Sequence, residues 1–335
     1  MKKKNDALIA GIAEFIANTD NFLIVTHENP DGDALGSTFA VLNMLHECGK
    51  TAEALMPEAL PEKYLDFIPC NYRTEVSLYD LSSYNCCIIV DNPNPARAGL
   101  GGKMTVSDIN IPIINIDHHP DNMLYGKHNL VMPDAAAAAE ILYMVFRQMP
   151  RTKISPATAT LLLLGIIMDT GGFRFDNTSA RVMRSAADLI ELKAAHHDIM
   201  KNMFFSKPLP QQKFESELFT EHLKIECGGR FAWFYIPEEL ISKYNIDMRN
   251  SEGLIEILRA LKDTEIVAVM QRRDDGFKIS LRSKDLKYSV GQIARKLNGG
   301  GHELAAGCII KASSLENAGK ILLSHVERTL HEARS

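Results

Sequence analysis

The stretch LIVTHENPDGDALGS, residues 23–37, places His27, Asp31 and Asp33 just beyond an apolar run. Three other segments end in the same way. Asp91 closes CCIIVD, Asp117 with His118 and His119 closes PIINIDHH, and Asp169 closes LLLLGIIMD. Carboxylates gathered at one point repel each other at neutral pH, so either their pKa values rise or cations neutralise them. Interleaved histidines favour cations. Asp and His without thiolates suit divalent ions such as Mn²⁺, Mg²⁺, Fe²⁺ or Co²⁺. Two such ions about 3.5–4 Å apart can bracket a water and a phosphoryl oxygen. A single Asp at the end of an element is more often a cap or a turn residue. Four separate segments with the same placement weaken that reading.

The elements that must gather these residues are visible in the alternation of residues 1–193. FLIVTH, CCIIVD and PIINID read as strands, apolar throughout as parallel strands covered on both faces are. The helical period predicts helices over an N-terminal amphipathic segment, over ALGSTFAVLNMLHECGK with Asp33 near its N-cap, and over 135–149, 156–170 and 178–193. This is the βαβ alternation of an α/β domain, whose strand ends share one ligand-binding edge. Residues 194–215, with Pro208 and Pro210, read as a partly helical linker. Beyond them the pattern changes to two hairpins, turning at Gly228-Gly229 and at Asp274-Asp275-Gly276, with helices over 250–262, 289–297 and 315–330. Residues 216–335 therefore read as a smaller α+β domain.

Composition bounds the functions. The 335 residues are 46% hydrophobic and 24% charged with a net charge of -5, which argues against broad coating of duplex nucleic acid. No apolar run reaches the length of a membrane span, and the six cysteines show no CxxC spacing. These features lead us to expect a cytoplasmic protein with reduced thiols and no membrane partner. Three glycines in RKLNGGGHELAAG let backbone N–H groups approach an anion, and Arg282 and Ser283 in KISLRSK offer a fork and a hydroxyl suited to phosphate.

HENPDGDALGS, VDNPNPARAG, IDHHPDN and GIIMDTGGFRF resemble the four motifs of the DHH phosphoesterase family, and GGGHELAAG resembles the signature of its accessory DHHA1 domain. The resemblance covers nearly the whole chain in the expected order and is closest to the short stand-alone members, the nanoRNase/pAp phosphatases. It implies an N-terminal DHH domain with a mainly parallel sheet flanked by helices, a smaller DHHA1 domain, and an active site in the cleft between them. It implies that His27, Asp31 and Asp91 hold one metal and that Asp33, Asp91, His118 and Asp169 hold the other. Mn²⁺ is the first expectation, with Mg²⁺ or Co²⁺ as alternatives. His119 would contact the substrate phosphate, and Asp117 would orient the histidines. Arg282, Ser283, Gly300, Gly301 and His302 would hold the part of the nucleotide that does not react. Arg97 and Arg174 could reach a phosphate, with a surface ion pair the equal alternative for each. The expected substrates are short single-stranded RNA, cut to mononucleotides, and 3′-phosphoadenosine 5′-phosphate (pAp), cut to AMP. A cyclic-di-AMP or pApA phosphodiesterase is the alternative within the enzymes, and a nucleotide-binding regulatory module is the alternative outside them. A homodimer is left open.

Overall fold

Residues 2–332, apart from 69–70, 103, 151, 249–252 and 275, are described by a computed structural model. The chain divides into two units between Ser206 and Lys207. The first runs α1 (Lys2–Asn18), β1 (Phe22–Val25), α2 (Gly32–Glu47), β2 (Ala52–Ala54), α3 (Leu78–Leu81), β3 (Cys86–Val90), β4 (Ile113–Asp117), β5 (His128–Val131), α4 (Ala138–Gln148), α5 (Pro156–Asp169), α6 (Ala180–Glu191) and α7 (His196–Phe204). Its strands are all parallel, in the order β2-β1-β3-β4-β5. β1, β3 and β4 are buried at every position, which is why their sequences do not alternate. Phe22, Ile24, Ile88, Val90, Ile114 and Ile116 face a core built with α1, α2, α4 and α5. The opposite residues, Leu23, Val25, Cys87 and Ile89, pack on Leu81, Tyr84, Leu100, Val106 and Ile109, so that face is closed mainly by short turns. Cys86 and Cys87 are fully buried in β3, and burial pushes the Cys86 thiol up to about 12 and raises that of Cys87 as well.

α2 and α5 pack closely, and two glycines permit it. A Cβ on Gly36 would lie 2.6 Å from the Leu161 carbonyl oxygen, and one on Gly165 would lie 2.5 Å from Asp33 Oδ1. This crossing brings the start of α2 against the length of α5.

The second unit runs α8 (Leu209–His222), β6 (Lys224–Glu226), β7 (Phe231–Ile236), α9 (Glu238–Tyr244), α10 (Leu254–Arg259), β8 (Ile266–Arg273), β9 (Gly276–Ser283), α11 (Val290–Lys296), β10 (Gly300–Gly301), β11 (Ala305–Ile310) and α12 (Leu315–Glu332). The sheet order is β10-β11-β9-β8-β7-β6, antiparallel except for β7 with β8. One face packs on α11 and α12 and the other on α8, α9 and α10. Both expected hairpins form, β6 with β7 and β8 with β9; Asp275 of the second turn lies outside the described residues. Trp233 is a buried residue of β7. Residues 194–215 hold α7 and the first half of α8. Cys48, Cys86, Cys87, Cys227 and Cys308 are free thiols, and Cys70 lies outside the described residues. Among the described residues no helix is long and apolar enough to cross a membrane.

Candidate metal centre

Parallel pairing puts the C-terminal ends of β1, β3 and β4 on one edge. His27 lies two residues beyond β1, Asp91 directly follows β3, and Asp117 ends β4 with His118 and His119 after it. Asp169 arrives differently. It is the last residue of α5, so a helix end and not a strand end delivers it.

Asp91 stands at the centre. Its Oδ2 is 3.6 Å from His27 Nε2, while its Oδ1 is 3.4 Å from His118 Nε2 and 3.5 Å from His119 Nδ1. His118 Nε2 is also 3.1 Å from Asp169 Oδ2. Ligand atoms of His27, Asp31 and Asp91 lie within 4.8 Å of one another, and so do those of Asp33, His118 and Asp169. Asp91 has φ of 52°, a left-handed backbone uncommon outside glycine. Its peptide N–H donates to the Ile116 carbonyl at 2.9 Å, so the strained residue is tied to the neighbouring strand.

The surrounding hydrogen bonds fix how each ring is turned. His27 Nδ1 donates to the Glu28 carbonyl at 2.8 Å, which leaves Nε2 facing Asp91. Asp117 is fully buried. Its Oδ1 accepts from the His118 and His119 peptide N–H groups and from His119 Nδ1, at 2.8, 3.3 and 2.8 Å. Its Oδ2 accepts from Asn122 Nδ2 at 2.5 Å. Asn122 was not among the residues singled out from sequence, because its contact exists only once the loop after β4 turns back.

Asp33 lies in the first turn of α2, near the N-cap as expected. The N-cap of α2 is Asp31, whose Oδ1 accepts from the Asp33 and Ala34 N–H groups at 3.0 and 3.1 Å. Asp33 instead accepts from the Ala138 and Ala139 N–H groups at 2.6 and 3.0 Å and from Ser37 Oγ at 3.0 Å. It thereby caps the first turn of α4, where Ala137 has no side-chain oxygen to offer. The alanine run 135–139 thus brings backbone donors up to a buried carboxylate.

Arg97 is an exposed turn residue whose carbonyl accepts from the Glu28 N–H at 2.8 Å. Arg174 donates from Nε to the Gly171 carbonyl at 2.5 Å, and its guanidinium lies 5.7 Å from the centre of the Phe204 ring. In the second unit, Arg282 and Ser283 end β9, and Gly300 and Gly301 form β10 just before His302. The Ser283 hydroxyl is buried and donates to the Asp285 carbonyl at 2.9 Å. A Cβ on Gly301, at φ of 123°, would lie 2.6 Å from the Ala305 carbonyl oxygen, so close pairing with β11 explains that glycine.

The electrostatics are those of a charged cluster out of water. Burial and the neighbouring Asp91 push Asp33 up to about 7. Burial raises Asp169 well above the ordinary carboxylate range, although His118 opposes this. Burial would also raise Asp91, but the His118 and His27 imidazoles beside it prevail and hold it far below that range. Burial would lower His27, yet Asp91 and Asp31 carry it up to about 9. In the same way Asp169 and Asp91 outweigh burial at His118 and raise it. The buried Asp91 Oδ1 has no hydrogen-bond partner of normal geometry. An under-coordinated carboxylate oxygen among imidazoles and acids is what a divalent cation would satisfy, and these groups could hold metal ions.

The model of the DHH family, N-terminal domain, matches residues 21–166, and that of the DHHA1 domain matches residues 229–331. The chain carries a DHH-family N-terminal domain followed by a DHHA1 domain. The DHH domain supplies His27, Asp31, Asp33, Asp91, Asp117, His118 and His119, and Asp169 follows just after the matched stretch. Among its relatives, a Thermus thermophilus protein named bifunctional oligoribonuclease and PAP phosphatase NrnA is 29% identical over 314 residues, spanning 92% of this chain and 90% of its own. A Bacillus subtilis protein of the same name is 26% identical, over 90% and 93% of the two chains. The crystal structure of an exopolyphosphatase-related protein from Bacteroides fragilis shares the fold of this DHH–DHHA1 chain, with a TM-score of 0.85 at 22% identity over 98% of each.

Proposed function

We propose that the chain is a two-metal phosphohydrolase that cuts short oligoribonucleotides to mononucleotides and pAp to AMP. The observation that carries this reading is the pair of carboxylate–imidazole clusters meeting at Asp91, whose two oxygens face different histidines. The substrate classes come from relatives of nearly the same length that are named oligoribonuclease and PAP phosphatase. His27, Asp31 and Asp91 would hold one cation, and Asp33, Asp91, His118 and Asp169 the other, with Asp91 between. Bound there, two divalent cations, Mn²⁺ first, supply a water of lowered pKa and positive charge against the phosphoryl oxygens. The chain's own residues do the rest. His119 Nδ1 is held by Asp117, which fixes the ring, and this imidazole would contact the substrate phosphate. Arg282, Gly300, Gly301 and His302 would grip the part of the substrate that does not react, while Ser283, its hydroxyl engaged, holds the turn after β9. Fixing a remote group positions the reacting phosphate.

A turnover panel tests the reading. Chelator-treated protein is given Mn²⁺ and then pAp, pApA, cyclic di-AMP, a five-nucleotide RNA or pyrophosphate. The expected outcome is Mn²⁺-dependent release of AMP from pAp and of mononucleotides from the RNA. Turnover of cyclic di-AMP alone would make the chain a cyclic-dinucleotide phosphodiesterase. Binding without turnover would make it a regulatory module, and full activity in excess chelator would end the two-metal reading.

A further inference from the structure

Segment 134–140 touches Asp33 directly and is linked to Asp169 through Asn177, yet none of its residues is a candidate ligand. The Ala138 and Ala139 N–H groups hold the Asp33 carboxylate. Asn177 Nδ2 donates to the Ala136 carbonyl at 3.1 Å and to the Asp169 carbonyl at 3.0 Å, which ties the same segment to the end of α5. Wherever this segment sits, the two acids follow.

An ion pair fastens the segment. Glu140, in the first turn of α4, is fully buried. Its Oε2 accepts from the Ala136 N–H at 2.8 Å, closing the turn on itself. Its Oε1 accepts from Arg181 Nε, on α6, at 2.9 Å. The same guanidinium donates from Nη1 to Asp134 Oδ2 at 2.8 Å and from Nη2 to the Asp134 carbonyl at 2.6 Å. Arg181 therefore grips both ends of 134–140, and its planar fork meets four acceptors at once, Nη2 also reaching Glu140 Oε2 at 3.5 Å. Without it Glu140 would be a buried carboxylate lacking this guanidinium, a costly state that the segment would relieve by moving.

We propose that Arg181 and Glu140 are positioning residues that set the spacing of Asp33 and Asp169, and through it the affinity for one cation. This deepens the two-metal reading and rests on it. Neither residue needs to touch the cation. Outer partners that orient metal-holding groups typically change metal affinity by about ten- to a hundredfold when removed.

The test is a Mn²⁺ titration of the chelator-treated full-length chain, followed by calorimetry and by the resonance signal of free Mn²⁺. Wild type is expected to bind in two steps. Arg181→Met should weaken one step by about ten- to a hundredfold and leave the other in place. Arg181→Lys keeps the charge without the fork and should fall between. If Arg181→Met does not fold, the lysine variant carries the comparison alone. Arg147→Met is the control. It removes another ion pair between α4 and α6, Arg147 Nη1 to Asp188 Oδ2 at 3.1 Å, in the last turn of α4, at the end away from Asp33. It should lower the unfolding temperature and spare Mn²⁺ affinity. Unchanged affinity in both Arg181 variants overturns the proposal, as does an equal loss in Arg147→Met, which would reduce it to general helix packing. If wild type itself binds no Mn²⁺, the two-metal reading falls first and takes this inference with it.

Discussion

Asp91 shows how one residue answers to several constraints: a left-handed backbone, a buried carboxylate, and imidazoles on both oxygens. The neighbouring groups carry its charge into the pH response. Without metal, Asp33 keeps its proton in the fold up to about 7 against 3.8 ordinarily, and His27 up to about 9 against 6.5. Both folded values are raised, so their contribution is fully present below the ordinary value and is lost as pH rises through the folded one. The metal-free chain should therefore lose stability from pH 4 to 7 through Asp33 and from pH 6.5 to 9 through His27. Ligands bind metal deprotonated, so Mn²⁺ affinity should rise across the same range. Thermal unfolding at pH 6 and 9, with chelator or Mn²⁺, checks both, and a Mn²⁺-induced shift independent of pH would refute them. The two adjacent histidines should separate by assay. His118→Ala should lose bound metal, measured by elemental analysis. His119→Ala should keep it and lose turnover by about 10²–10³, the cost of a contact that stabilises charge in the transition state. Equal metal loss in both would mean the pair was misassigned.

At the scale of elements, the α2–α5 crossing is a backbone contact and tolerates no added atom. Gly36→Ala would place a methyl 2.6 Å from the Leu161 carbonyl oxygen and 2.9 Å from the Gly165 nitrogen, and should cost about 1–3 kcal/mol in urea unfolding. Gly11→Ala, with nothing within 4 Å of the added carbon on α1, should gain about 0.5–1 kcal/mol by helix propensity. A neutral Gly36→Ala would show that the two helices slide apart freely. The elements also mark what the sequence could reveal. β1, β3 and β4 were legible because short, mostly apolar runs followed by Asp or His have few other readings. The helical periods of α4 and α6 were as plain, and α5 was marked by its Ser155-Pro156 start and its long apolar run. β2, the three residues AEA, and β5, HNLV, carry no pattern of their own and are strands because a neighbour pairs with them. α8 was hidden by two prolines at its start and a weak apolar face. Local sequence placed Asp33 near the start of α2; the Ala138 and Ala139 N–H groups that hold its carboxylate lie over a hundred residues away, beyond any local signal.

At the scale of the molecule, the proposed division of labour puts chemistry in the first unit and substrate grip in the second. Arg282→Ala and His302→Ala should then cut turnover of pAp and short RNA by about ten- to a hundredfold, the worth of one charge-assisted contact. A small activated ester such as bis-p-nitrophenyl phosphate has no remote end to grip and should react nearly as before. Equal losses on both substrate kinds would move these residues into the chemistry itself. The first unit also contains its own clock. β3 is the middle strand of its sheet, leads directly into Asp91, and carries two adjacent thiols sealed from solvent and held protonated by burial. An alkylating reagent needs a thiolate and a path to it, so it can reach this pair only when the sheet parts. With reagent in enough excess to trap every opening, the rate at which Cys86 and Cys87 are labelled is the rate at which the strand leading into Asp91 opens, and saturating Mn²⁺ should slow it.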